Sequence, residues 1–234
     1  MNPQNVSSKP PVGAAAGRKP RADGVRSRQA ILHAAANLAT TRGLEALSIG
    51  ELAEHIGMSK SGLYAHFKSK EELELATIET AIEIFEREVL VPAGKSSGSL
   101  DRVQALADAF LGHLERRVFP GGCFFAAVSA QLAANPGRAR DRVVGMLQQW
   151  QEQFVAALHQ AVEAGALSSN TEIDQTVFEI TAMLLRANFN WILTGDRGAL
   201  DQARAGIHHV LKRVAGPAGR NGRPKRAGSS RGRT

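Results

Sequence analysis

Between residues 25 and 215 the apolar positions recur at intervals of three and four, the spacing that lines one face of an α-helix. Ile31, Ala35, Leu38 and Ala39 mark a first helix that Gly43 closes, and Ile49, Leu52, Ala53 and Ile56 mark a second that ends at Gly57. Leu63 and Phe67 anchor a short third helix. A fourth begins after Ser69 and carries Leu73, Ala76, Thr80 and Ile84 as far as Pro92. A break rich in Pro, Gly and Ser follows, and Leu100, Val103, Ala107, Phe110 and Leu114 then define a fifth helix, stopped by Pro120, Gly121 and Gly122. A shorter apolar helix is predicted over 124–135. A long one carries Val143, Leu147, Trp150, Phe154, Leu158 and Ala161 to about Gly165, and two more span 173–193 and 199–214. No alternating strand pattern bounded by turn residues appears. The expected fold is all-α with about nine helices, three small ones followed by a larger bundle.

Composition agrees with this. Hydrophobic residues make up 43 % of the chain, enough for a core, and aromatic residues only 5 %. The formal charge of +7 is unevenly placed: six Lys and Arg stand against one Asp in residues 1–28, and six with no acid in residues 216–234. The chain between is mildly acidic, so the charge favours a nucleic-acid partner without locating the surface that binds it. The ends are also rich in Pro, Gly and Ser and are expected to be disordered tails. The expected division is a basic tail (1–24), a small helical DNA-binding domain (25–70), a larger helical domain (71–215) and a second basic tail (216–234). Cys123 is the single cysteine, which excludes an intrachain disulfide and a Cys-based zinc site. With no signal-peptide core and no run of ~18 apolar residues, a cytoplasmic protein without membrane spans is expected.

The most informative stretch runs from Leu47 to Leu73. Ser48 and Glu51 have capping-box spacing, as do Ser69 and Glu72, which sets two helix starts. Between them Ala53 is small where a second helix must cross, Gly57 permits a positive φ, and Ile56 and Leu63 can clamp two helices together. These are the physical requirements of a helix-turn-helix. Such a turn also occurs in plain helical cores, but Lys60, Ser61, Gly62, Tyr64, His66, Lys68 and Lys70 leave the third helix little apolar surface beyond Leu63 and Phe67. Small residues allow close approach to a major groove, and hydroxyl and basic groups reach bases and phosphates.

Residues from about Arg26 to Leu73 resemble the DNA-binding domain of TetR (tetracycline repressor) family regulators, notably Leu63, Tyr64, His66, Phe67, Lys70 and Glu72 with the preceding Gly57, Met58 and Ser59. The resemblance implies a homodimer with a three-helix reading head, a variable ligand-binding domain and dimerisation through the last two long helices. It places Ser59, Lys60, Ser61 and Gly62 nearest the bases of double-stranded operator DNA. Tyr64, His66 and Lys70 then meet phosphates, with Ser48 and Thr41 adding contacts at helix ends. Arg26 and Arg28 supply charge outside the motif. Ser61 and Gly62 offer few distinctive hydrogen bonds, so sequence reading falls on Lys60 or on DNA shape.

The second half carries weaker signals. Phe110, Cys123, Phe124, Trp150, Phe154, Phe189 and Trp191 are candidates to line an apolar effector cavity, with Arg186, Asn188 and Asn190 as polar groups. The same aromatics also suit a plain core, and Arg186 a subunit interface. Cys123, near a predicted helix start, is a candidate thiol sensor or a buried small hydrophobe. No metal site is expected: nothing pairs with His66, and His208 and His209 point to different sides of one helix. No cofactor is expected. Walker, HExxH and GxSxG motifs are absent, so an enzyme is not expected. The function read from the sequence is a transcriptional regulator released from a palindromic operator by a small molecule. A Cys123-based redox regulator and a non-specific DNA-coating protein are the alternatives.

Overall fold

The computed structural model describes residues 20–96 and 98–216, and every regular element among them is helical. The elements are α1 (Pro20–Arg42), α2 (Ile49–His55), α3 (Lys60–Tyr64), α4 (Lys70–Phe85), α5 (Ser99–Glu115), α6 (Phe124–Ala134), α7 (Arg138–Glu163), α8 (Ile173–Thr194) and α9 (Gly198–Arg213). The helical order is the one the apolar spacing predicts, but the first helix, expected to be small, is 23 residues long. The expected tails fall mostly outside the described residues, and α1 begins at Pro20, inside the stretch expected as tail.

Three serines start three consecutive helices. Ser48, Ser59 and Ser69 each accept the N–H of the residue three further on, Glu51, Gly62 and Glu72, at 3.1 Å. Two of these caps are predicted by capping-box spacing; Ser59 lacks the acidic partner and gives no such sign. The Glu72 carboxylate takes the backbone N–H of Lys68 at 3.0 Å and so braces the turn before α4. Gly57 ends α2 in the left-handed region at φ +68°, with its N–H on Glu54 O and the Met58 N–H on Ala53 O at 2.9 Å. That pair of bonds satisfies the last carbonyls of α2 and reverses the chain toward α3.

The predicted stop at Pro92 is slightly exceeded. Proline has no N–H and its ring meets the carbonyl four residues back. A π turn, Glu86–Leu90, widens the ladder and lets the helix run on through Val91–Ala93.

Leu44, Leu47, Leu52, Leu63 and Phe67 are fully buried and form the core of the small N-terminal unit. Helix α1 packs on α4 and α6 as well as on α2, so this unit shares its longest helix with the bundle. In the bundle, α4, α5, α6, α7 and α8 surround an aromatic cluster of Phe85, Phe110, Phe125, Trp150 and Phe154. Helix α9 lies on α8 and α5, and an isolated antiparallel bridge between Leu167 and Ala215 ties down its end. No described helix is long and apolar enough to cross a membrane.

Candidate nucleic-acid interface and ligand cavity

Helix α3 is held by one side chain and presents the rest. Leu63 is fully buried, while Lys60, Ser61 and Tyr64 are exposed, Tyr64 to 57 %. The Ser59 and Ser61 hydroxyls lie 3.2 Å apart. Lys60 lies back across Gly50 of α2: a β-carbon at Gly50 would stand 3.4 Å from Lys60 Cε and 3.6 Å from its ammonium, with Ser48 Oγ 3.8 Å away. The Lys60 charge is therefore shared between the starts of α2 and α3. Ser48 and Thr41 are exposed, Gly62 is half-buried, and Arg26 falls on α1.

Two of the expected DNA-facing cations have partners inside the fold. Arg28 donates to the carbonyl of His66 at 2.7 Å, sets its guanidinium 4.4 Å from the centre of the Phe67 ring and approaches Glu72 at 3.9 Å. It fastens α1 to the end of α3, where helical carbonyls lack partners. The Lys70 ammonium donates to Glu45 O at 2.6 Å and pairs with Glu74 at 3.5 Å, so it holds the loop between α1 and α2. His66 is half-buried, with its ring 6.3 Å from that of Phe67. These contacts depend on α1 and the loop after it, which pattern reading treats separately from α3. Among the described residues no group of three or more His, Cys, Asp or Glu is placed to hold a metal ion.

A cavity of about 680 Å³ opens in the bundle between α4, α5, α6, α7 and α8. Of the expected lining residues, Phe110, Cys123 and Trp150 reach it. Phe124 and Phe154 are fully buried behind it, Phe154 with its ring 4.8 Å from Trp150. Arg186 lies in a separate groove between α8 and α9, and Phe189 is exposed on the outside of α8. Trp191 donates its indole N–H to Leu114 O at 3.0 Å and carries Arg117 at 5.0 Å from its ring. Asn188 is buried and structural, as described next. Sequence reading missed Phe85, Phe125, Met146, Leu147 and the α8 wall of Phe178, Thr181 and Leu185. These have the ordinary helical spacing of core positions, and only the third dimension shows which of them face a void.

The corner Gly121–Gly122–Cys123 touches both halves of the molecule. The Gly121 N–H donates to Thr40 Oγ1, in the last turn of α1, at 3.1 Å. A β-carbon at Gly121 would overlap the Thr40 carbonyl, so only glycine permits this approach. Gly122 has φ +83°, and a β-carbon there would stand 2.5 Å from Asn188 Oδ1. The same Asn188 oxygen accepts the Cys123 N–H at 2.9 Å. One residue of the cavity wall is thus hydrogen-bonded to α8, and its neighbour two positions earlier to α1. Gln131 of α6 adds a second tie, accepting the Leu44 N–H at 3.1 Å, and Asn135 a third, to Glu45. Burial pushes the Cys123 thiol up, against the opposing pull of the Ala126 and Phe125 N–H groups. A protonated, enclosed thiol is a poor nucleophile, which counts against the redox alternative.

The description "Bacterial regulatory proteins, tetR family" matches residues 31–77, and "Tetracyclin repressor-like, C-terminal domain" matches residues 99–207. The transcriptional regulator AcuR of Cereibacter sphaeroides is 25 % identical over 175 residues, 74 % of this chain and 78 % of that protein. A TetR transcriptional regulator from Chloroflexus aurantiacus superposes with a TM-score of 0.78 at 22 % identity, covering 83 % of this chain and 98 % of the other. AibR, solved in complex with isovaleryl coenzyme A and operator DNA, superposes at 0.64 with 23 % identity, covering 80 % and 97 %. The helix-turn-helix, the helical bundle behind it and both domain matches place the chain in the TetR family of transcriptional regulators, with an N-terminal DNA-binding domain.

Proposed function

We propose that the protein is a repressor that binds an inverted repeat as a two-fold dimer and leaves it when a small molecule fills the bundle cavity. The observation that carries this reading is the Gly121–Cys123 corner, which contacts the cavity, α8 and the end of α1 together. A ligand that displaces the wall at Cys123 acts on Thr40, and through α1 on the orientation of α2 and α3. Differential contact with two arrangements of one packed element is what effector coupling requires. The solved neighbour AibR carries both an acyl thioester and operator DNA, which supports a regulator that recognises the two kinds of partner.

The dimer rests on α8. Phe178, Leu185, Phe189 and Leu193 are between 55 % and 73 % exposed and fall at i, i+7, i+11 and i+15, one apolar stripe along the helix. A self-complementary patch of this kind suits a two-fold contact. Helix α9 exposes no large apolar residue, and its outward positions are small or polar, such as Gln202, Ala205 and His209. Beside it, the groove with Arg186 and Asn190 is lined by Ala182, Ala199 and Ala203, small enough to admit a neighbouring helix.

In the reading head, Lys60, Ser61 and Tyr64 face the major groove. Ser48, Thr41 and the start of α4 meet the backbone. Selection of bound sequences from random DNA tests the whole reading. The expected product is one short palindrome, retained against excess nonspecific DNA. Enrichment without symmetry, or none at all, would remove it.

A further inference from the structure

None of the described residues lining the cavity carries a formal charge. One side is a rigid aromatic surface. Phe85 meets Phe125 edge to face at 5.7 Å and Trp150 at 5.1 Å, and Phe110 stacks on Trp150 at 5.9 Å. The remaining large lining residues include Met146, Leu147, Leu184 and Leu185, which are aliphatic and adaptable. The polar atoms are few and mostly engaged: the Ser129 hydroxyl donates to Phe125 O at 2.5 Å and that of Thr181 to Val177 O at 2.8 Å, so both offer only lone pairs inward. Gln151 contributes an exposed amide.

From this lining we infer that the effector is an uncharged molecule with an apolar body, aromatic or aliphatic, and at most a neutral hydrogen-bonding group. The inference rests on the reading of this cavity as the effector site. An ionised carboxylate or phosphate that enters must shed its hydration, and no cation replaces it. An ammonium is no better served. The Cys123 thiol stays protonated in its buried setting, and no carboxylate lines the wall. Apolar surface, by contrast, is accepted everywhere the cavity is closed.

The test uses the full-length protein and matched probes that share a skeleton: methyl decanoate, decanoate and decylammonium, with methyl 2-naphthoate and 2-naphthoate as an aromatic pair. Each is titrated calorimetrically at pH 7.5, below its aggregation threshold. The expected result is binding of the esters, with the charged partners at least ~30-fold weaker. Leu147→Arg, a half-buried wall position on α7, is expected to reverse the order, so that decanoate gains ~10-fold or more over its ester. Ala126→Trp, which fills the cavity from α6, is expected to abolish ester binding while a thermal melt confirms that the variant folds. Equal affinity for esters and carboxylates, lost in Ala126→Trp, would overturn the neutral-ligand inference and leave the site standing. Ester binding that survives Ala126→Trp, or no binding of any probe, would remove the site and the inference with it.

Discussion

At the scale of single residues, cations that look alike in sequence are separated by their contacts. Arg28 is bonded to His66 and stacked on Phe67, whereas Lys60 is exposed and lies beside Gly50 of α2. Arg28→Ala is therefore expected to destabilise the fold by ~1–2 kcal/mol, through a lost charged hydrogen bond and a lost ring contact. Lys60→Ala should leave the melt unchanged but cost ~1–3 kcal/mol of operator binding at a single base step. Melts and binding to single-base operator variants check both; the reverse pattern would mean that α3 is not the reading element. His113 is a second residue whose role only packing reveals. It is 1 % exposed, neither ring nitrogen has a hydrogen-bond partner among the described residues, and Phe85, Phe110 and Phe119 lie around it. Burial, with the Arg116 charge behind it and Glu88 opposing, pushes its pKa from the ordinary 6.5 down to about 4. The folded chain then resists a proton that the unfolded chain accepts. The site is without penalty above pH 6.5, and stability falls as the pH drops from there to 4, by ~3 kcal/mol in all. His113→Phe should flatten this acid limb in urea unfolding between pH 4.5 and 7.5, and an unchanged slope would exclude His113 as its source.

At the scale of elements, the junction between α1 and the Gly121 corner is where the two halves meet. Thr40→Val keeps the shape and removes the hydroxyl that accepts from Gly121 and donates to Asn37. The expected stability cost is ~1 kcal/mol, that of one hydrogen bond. Operator affinity without ligand should change little, because α2 and α3 are untouched. The drop in affinity that a cavity ligand produces should shrink by ~5-fold or more, since part of the coupling passes through this contact. Titrating operator binding with and without a saturating neutral ester measures it. A ligand response identical to the parent's would mean that the signal runs through α4 or α6 instead. The same junction shows why helix boundaries were more legible than helix partners. Ser48, Ser69 and Gly57 act on their own neighbours within three or four residues, whereas Thr40 and Gly121 meet across 81 positions.

At the scale of the whole molecule, the exposed stripe of α8 is the largest departure from a self-sufficient core. Phe189 and Leu193, at 61 % and 73 % exposed, stand outside the cavity lining and can be changed without altering it. The double variant Phe189→Glu, Leu193→Lys is expected to sediment as a folded monomer at micromolar concentration. Its operator affinity should fall by at least ~100-fold, because two linked reading heads bind with the advantage of an intramolecular second step. A dimer of unchanged stability would place the interface elsewhere. The surface ion pairs between helices, Arg142 with Glu79, Arg213 with Glu179 and Arg204 with Asp108, contribute little by comparison, since exposed pairs are screened.

The sequence by itself determined the helical class, the order of the elements, the helix-turn-helix and the polar residues that α3 exposes. Each depends on local chemistry: apolar spacing, a serine that caps the turn after it, a glycine that tolerates positive φ. It also singled out Phe110, Cys123 and Trp150 as cavity residues, together with Phe124, Phe154, Phe189 and Trp191, which do not line the cavity, because large aromatic side chains suit a core and a void alike. Only the tertiary structure decided which core-like residues face a void, that Arg28 and Lys70 hold the fold together, and that Asn188 serves the Cys123 corner. The physical reason is that a cavity and a long-range hydrogen bond are properties of helices in register with one another, and the spacing along one helix is the same whether its inner face meets a side chain or an empty space.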